Sequence, residues 1–344
     1  MGVSGPYFDS SKNCLDCFSF YLYYIVISDQ SDLTRMNDRI LITGSSGLIG
    51  RALRGTLQER GTDVVGLDPL GVNGEKGDVR NPEQVAKAVS RCSGVVHLAA
   101  VSRVVWGQSN PNKCWDVNVG GLTNVLEAIE RKEKPPWLIF GGSREVYGQP
   151  EILPVTEDAP LRPINVYGRS KVKGEYIVQK AQARGLRAGI IRFSNVYGNI
   201  NDHHDRVIPA FIKAALSGDN LHVEGVKHTF DFTHIEDTIR GIVSLIDLIA
   251  SSEQILPPLH LVTGIPQSLT ELATMIIQLA DGNSSVIQSP PRSFDIDYFY
   301  GNPERAHKLL GWTPRVSLRE GLERLIEDYR NKNSFSPSAM IAER

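Results

Sequence analysis

Ile40-Leu41-Ile42-Thr43-Gly44-Ser45-Ser46-Gly47-Leu48-Ile49-Gly50 decides how the rest of this chain is read. Residues 40–43 form a short apolar run without polar alternation, the pattern of a strand covered on both faces. Leu48, Ile49, Ala52, Leu53 and Leu57 then recur at helical spacing, and Gly61 is a stop signal. A strand, a glycine turn and a helix in that order can hold a dinucleotide pyrophosphate. Small residues at Gly44, Ser46 and Gly47 let backbone N–H groups approach the phosphates. The helix starting at Leu48 and Ile49 aims its positive end at that charge. Gly50 lets the helix pack close to the sheet. The spacing is G-x-x-G-x-x-G, not the G-x-G-x-x-G of many such turns.

Working outward, residues 64–67 read as a second strand ending at Asp68. An acid about 20 residues beyond the glycines suits the ribose hydroxyls of a dinucleotide. It would repel a 2′-phosphate, which favours NAD over NADP. After a short third strand, Asp78-Val79 would lie beside the adenine. Strands at 94–99, 137–140 and 186–192 alternate with helices at 82–91, 111–132 and 165–184. Regular β-α alternation predicts an α/β fold with a doubly wound parallel sheet. Beyond residue 195 the pattern loosens. Helices at 209–217, 235–250, 269–280, 303–310 and 318–330 mix with short strands at 221–223, 259–262 and 286–288. This predicts a smaller C-terminal α+β substrate-binding cap over the carboxyl edge of the sheet, where open α/β folds bind ligands.

A second string, Tyr167-Gly168-Arg169-Ser170-Lys171, places Tyr167 and Lys171 four apart and so on one helical face. A free tyrosine has a pKa near ~10 and is a poor base at neutral pH. A neighbouring ammonium favours the phenolate, which could then take a proton from a substrate hydroxyl. Ser143, at the end of the 137–140 strand, is the natural relay between substrate oxygen and phenol. Ser143, Tyr167 and Lys171 are therefore the candidate catalytic group, for redox chemistry on an alcohol or ketone with a bound nicotinamide.

The chain has 344 residues, a formal net charge of −2, 41% hydrophobic and 22% charged residues, which describes a soluble globular protein and gives no sign of a nucleic-acid or membrane-surface binder. Four cysteines (Cys14, Cys17, Cys92 and Cys114) make no disulfide framework and suit a reducing, cytoplasmic setting. His203 and His204 lack the spacing of a metal pair, and no metal site is expected. Residues 1–36 read as an atypical leader outside the fold, with Met36 as a natural start. Its apolar run at 18–27 is only ten residues, against about 20 for a membrane span. Pro6 stands where a myristoylation signal wants Ser or Thr. The expected organisation is a dinucleotide-binding domain at 37–199, to which 231–250 returns, a cap at 200–230 and 251–332, and a tail at 333–344.

These motifs resemble the extended short-chain dehydrogenase/reductase family, in particular its NAD-dependent sugar-nucleotide epimerases and dehydratases. The likeness extends through His97-Leu98-Ala99-Ala100, Asn118-Val119, Val146-Tyr147-Gly148, Arg192-Phe193-Ser194-Asn195, Asp231-Phe232, Arg292-x-x-Asp295 and Leu310-Gly311-Trp312. It implies a Rossmann domain, NAD as cofactor, and a nucleotide-sugar 4-epimerase acting through a transient 4-keto sugar. Nucleotide-sugar decarboxylation, dehydration or keto-sugar reduction on the same fold is the alternative, and a non-catalytic NAD-binding sensor a further one. By the same likeness Ala99 and Ala100 line the cofactor, Asn118 orders the site, Asn195 and Arg292 bind the substrate phosphates, and a homodimer forms through the two long helices. Two positions depart from the pattern. Phe230 stands where the family often has a phosphate-binding Arg, leaving Lys227 or His228 to grip the nucleotide. Arg144 stands where 4,6-dehydratases carry an Asp that serves the C6 hydroxyl, beside a retained Glu145 with a possible catalytic role.

Overall fold

Five strands, β1 (Ile40–Thr43), β2 (Val64–Leu67), β3 (Gly94–His97), β4 (Trp137–Ser143) and β5 (Ala188–Phe193), join a later strand, Leu259–Leu261, in one parallel sheet. The order is Leu259–Leu261, β5, β4, β3, β1, β2. The computed structural model describes Met1, residues 39–72 and residues 74–334, with side chains to 332. The expectations for residues 2–36, Cys14 and Cys17 included, and for the tail from 335 lie outside the described residues.

Every residue of β1, β3, β4 and β5 is buried, because helices cover both faces of the sheet. Alternate residues feed opposite layers. Ile40 and Ile42 pack with Leu53, Leu57, Ile239, Ile242 and Trp312 on one face. Leu41 packs with Val85, Leu122, Val125, Ile129 and Val178 on the other. The chain runs from β1 outward to β2, then crosses back so that β3 lies on the other side of β1. This reversal, at the carboxyl edge between the loops after β1 and β3, is the place where open α/β sheets bind ligands.

A separate apolar cluster holds the cap, where helices Val207–Ser217, Leu269–Leu279 and Leu318–Ser334 pack around Leu221, Val223, Phe230 and Phe299. Thr229–Phe230 pairs with Gln267–Ser268 and Tyr298–Phe299, and Leu221–Glu224 pairs with Val286–Ser289.

The structure differs from the sequence reading in several places. Leu259–Leu261, grouped with the cap segment, is the sixth strand of the central sheet, where it pairs with β5. The short strand before Asp78 is reduced to one parallel bridge, Asp68 to Lys76. A helix at Val104–Ser109 was not foreseen. The long helix expected over 111–132 is interrupted by a π turn at Asp116–Gly120. Helix Ile235–Ser251 packs against the central sheet through Ile239, Ile242 and Leu245.

Candidate active site

The turn after β1 bends through Gly44, whose φ of +74° belongs to the left-handed region that favours glycine. A Cβ there would lie 2.7 Å from the Ala99 nitrogen and 2.9 Å from the Leu98 carbonyl carbon. Gly50 has a different task. A Cβ on it would overlap the Gly44 carbonyl oxygen and lie 2.9 Å from the Ser45 Cα, so its bareness lets the helix seat on the turn. Gly47 opens helix Leu48–Glu59 without any side-chain cap. The free N–H groups of Leu48 and Ile49 and the positive helix end are therefore available to an anion.

Asp68 is buried at the end of β2, and its carboxylate accepts from the Ser46 N–H at 3.2 Å and the Leu70 N–H at 2.8 Å. It thus hangs beside the glycine turn, within reach of a ribose there. Asp78 pairs with Arg80, whose guanidinium holds its carboxyl below the usual range. Val79 is buried, and its carbonyl accepts from Asn124 at 2.9 Å. The donor set fits a dinucleotide: a turn whose close backbone approach a single Cβ would block, an uncapped helix end, and an acid hydrogen-bonded to the turn. Ala99 and Ala100 follow β3, and the Ala99 backbone lies against Gly44.

β4 runs three residues further than the sequence suggested, so Ser143 ends the strand itself. Helix Val166–Ala183 starts just after Asn165, whose side chain accepts from the Gly168 N–H at 2.8 Å. This cap sets the first turn and with it the direction of Tyr167. Ser143, Tyr167 and Lys171 are all buried, at 7%, 8% and 4% exposure. The Lys171 ammonium donates to the Gly141 carbonyl at 2.7 Å and lies 5.7 Å from the centre of the Tyr167 ring. Leu98 links this group to the coenzyme crevice: a Cβ on Gly141 would lie 3.2 Å from its Cδ2. The three candidate residues and the glycine turn thus share one edge.

Burial pushes the Tyr167 phenol up to about 12; a hydrogen bond with Ser143 opposes the rise, and Arg206 also opposes it. The sequence reading lowers this pKa through the ammonium together with the positive nicotinamide ring, and the second of these charges belongs to the bound coenzyme. In the protein alone desolvation wins, because the phenolate would lose its water without a full compensating charge. Burial likewise brings Lys171 down to about 8, against the pull of Cys114 and Glu175. Lys171 therefore stays mainly an ammonium at neutral pH.

Asn118 sits at the π turn. Its Oδ1 accepts from the Val101 N–H at 2.7 Å and its Nδ2 donates to the Ser170 hydroxyl at 2.9 Å. The extra residue in the turn aims this side chain at both partners, a use of π turns common at functional sites. Glu145 is buried and accepts from Asn165 at 2.7 Å and from Arg144 at 3.2 Å. It braces the cap of the Tyr167 helix.

Asn195 opens the strand Asn195–Tyr197 just beyond β5 and is half-buried. Arg292 is 42% exposed and pairs with Asp295 at 2.8 Å and Glu224 at 3.3 Å. Lys227 and His228 line a cleft in the cap together with Gly225, Ser289, Pro291 and Tyr298. His228 is tied to Asp297 at 2.9 Å. Asp231 accepts from the Thr263 and Gly264 N–H groups at 2.9 and 2.7 Å, which makes it a loop anchor.

Sequence reasoning missed a buried network behind the site. Arg192 pairs with Glu175 at 2.7 Å and donates to the Tyr147 hydroxyl at 2.6 Å, which in turn meets His260 at 2.6 Å. An Arg inside a strand of apolar residues was the available signal. His97 bonds Thr43 at 2.8 Å and is kept neutral by burial, as a strand-end structural residue. His203 packs its ring against Trp106, and among the described residues no group of side chains could hold a metal ion.

Residues 40–256 match the NAD dependent epimerase/dehydratase family. Over 310 residues the chain is 30% identical to a protein of Methanocaldococcus jannaschii described as a putative UDP-glucose 4-epimerase, covering 86% of this chain and 99% of that one. The solved UDP-glucose 4-epimerase of Thermotoga maritima, with UDP-glucose bound, superposes with a TM-score of 0.79 at 26% identity, over 86% of this chain and 99% of the other. MoeE5, solved with UDP-glucuronic acid and NAD, gives a TM-score of 0.79 at 27% identity with the same coverage. The family match spans most of the chain, and the chain belongs to the NAD dependent epimerase/dehydratase family.

Proposed function

We propose that this chain is a nucleotide-sugar 4-epimerase that uses NAD and works through a 4-keto sugar. The observation that carries the reading is the meeting of Tyr167, Ser143 and Lys171 with the glycine crevice through Leu98 and Gly141. Gly44, Ser46, Gly47, Leu48, Ile49, Gly50, Asp68, Asp78, Val79, Ala99, Ala100 and Asn118 would hold the coenzyme, which when bound takes up and returns a hydride. Lys171 orients the nicotinamide end and supplies positive charge. Tyr167 serves as a base only as the phenolate, so a further positive charge bound beside it must first drive the phenol proton out to water. It then takes the C4 hydroxyl proton, with Ser143 holding the same oxygen, and returns it after the sugar has turned. Asn195 and Arg292 hold the diphosphate.

Dehydration is disfavoured because Arg144 occupies the position that would need an acid. Glu145 has both oxygens engaged, by Asn165 and Arg144, which suits bracing more than proton transfer.

On this reading the coenzyme-binding and cap parts divide near 199, with 231–250 and Leu259–Leu261 back with the sheet. A homodimer through the long helices has exposed aromatic side chains to use, Trp115 and Tyr176. Leu122, Val125, Leu126 and Ile129 face the sheet. Cys92 and Cys114 are buried free thiols, in keeping with a reducing cytoplasm. Among the described residues no helix is long and apolar enough to cross a membrane.

The test is a panel of nucleotide sugars with product analysis at C4. Tyr167→Phe should lower turnover by roughly 10²–10⁴-fold while the protein still binds NAD. Full turnover by that variant would eliminate the mechanism.

A further inference from the structure

We infer that Arg144 is the specificity-determining residue for a carboxylate on the sugar, so that the preferred substrate is a nucleotide-linked uronic acid. The inference rests on the epimerase reading and names the substrate class of that site. Arg144 directly follows Ser143, so its Cα is about 3.8 Å from that of the residue that touches the Tyr167 phenol. Its side chain is 12% exposed. The guanidinium lies over the Phe230 ring, 4.3 Å from its centre, and 5.9 Å from that of Phe299. One nitrogen, Nη2, meets Glu145 at 3.2 Å. The other, Nη1, is buried without a hydrogen-bond partner among the described residues.

A buried guanidinium nitrogen without an acceptor is costly, and a bound oxygen would remove that cost. Stacking on Phe230 fixes the plane of the guanidinium, so the free N–H groups have a set direction. The charges that act on the Tyr167 phenol are Arg206 and Glu145, and Glu145 is already paired with Arg144, so a negative group on the sugar would find positive charge uncompensated here. In a hexose, C6 hangs from C5, next to the C4 carbon that Ser143 and Tyr167 serve. The diphosphate hangs from C1, across the ring. A cation beside Ser143 stands near the C4 side of the ring, away from C1, and under this assignment it lies at C5, where C6 hangs, and not at C3. A hydroxymethyl group there offers one neutral oxygen, and a carboxylate offers two charged ones to a guanidinium.

The decisive measurement is equilibrium binding of UDP-glucuronic acid, UDP-glucose and UDP to the NAD-loaded protein. The parent should bind the acid more tightly than the neutral sugar. In Arg144→Met the ratio of the two affinities should fall by about 10- to 100-fold. Arg144→Lys, which keeps the charge and loses the fork, should lie between. A parent that prefers UDP-glucose would overturn the assignment, as would a ratio unchanged in Arg144→Met. So would an equal loss for UDP, which would put the guanidinium on the diphosphate. The parent ratio needs no variant, so misfolding cannot hide the answer. Because binding needs no turnover, selective binding of the acid without inversion at C4 would sink the proposed reaction and leave this assignment standing.

Discussion

Lys171 shows how far one side chain can be read from spacing. A Tyr and a Lys four apart must share a helical face, so their pairing was legible. Their state was not, because it depends on burial by Phe140, Leu98 and the β4 backbone. Burial leaves Lys171 with a pKa of about 8, below the usual lysine value. A lysine with a lowered pKa loses its charge as pH rises through that value. We expect the Lys171-dependent part of kcat/KM to be level near pH 7 or below, to be about halved near pH 8 and to keep falling above it; a profile that stays flat well above pH 8 would contradict this role. Lys171→Met should cost roughly 10²–10³-fold in turnover and lower the NAD content of the purified protein. The stacking of Arg144 on Phe230 was not legible at all. Each was visible as a departure from pattern, and only the fold of the cap brings them together.

Helix Leu48–Glu59 carries two glycines with opposite meanings, and the pair makes a test at the scale of the element. Gly50 faces the turn, and a Cβ would press on the backbone of Gly44 and Ser45, which has no side-chain freedom to yield. Gly55 is in the same helix with open space where a Cβ would go. Gly55→Ala should therefore stabilise by about 0.5–1 kcal/mol through helix propensity. Gly50→Ala should destabilise by about 1–3 kcal/mol and weaken NAD binding, because the helix must back away from the turn. Denaturant unfolding and NAD titration of both variants check this; equal behaviour of the two would refute the packing argument. The glycine turn was readable because strand, turn and helix are contiguous. The π turn at Asp116–Gly120 was not. The local pattern over 111–132 is that of one helix, and the interruption accompanies bonds from Asn118 to Val101 and Ser170, which no local periodicity encodes.

Across the whole molecule, β-α alternation was enough to foresee a parallel, doubly wound sheet. It could not place Leu259–Leu261, a three-residue strand that reaches β5 only after a long excursion through the cap. That strand carries His260, which binds the Tyr147 hydroxyl and is kept neutral by burial, with a pKa of about 3. His97, at the end of β3, is lowered to about 3 for the same reason. These two residues tie acid stability to the integrity of the sheet. Both have folded pKa values below the ordinary histidine value of about 6.5, so the unfolded chain binds more protons as pH falls. Their stabilising contribution is fully present above about pH 6.5 and is lost progressively as pH drops toward 3. Between pH 7 and 5 the two together should remove about 4 kcal/mol of unfolding free energy. Glu157 and Asp231 are raised by burial and act in the opposite sense, while burial lowers His203 and His234 in the same sense, so the share of His260 is read from its own variant. Denaturant midpoints at the two pH values give the measurement. His260→Gln should lower stability at pH 7, through the lost Tyr147 contact, and roughly halve the pH dependence. A parent protein equally stable at pH 7 and 5 would show that the sheet does not hold these imidazoles neutral.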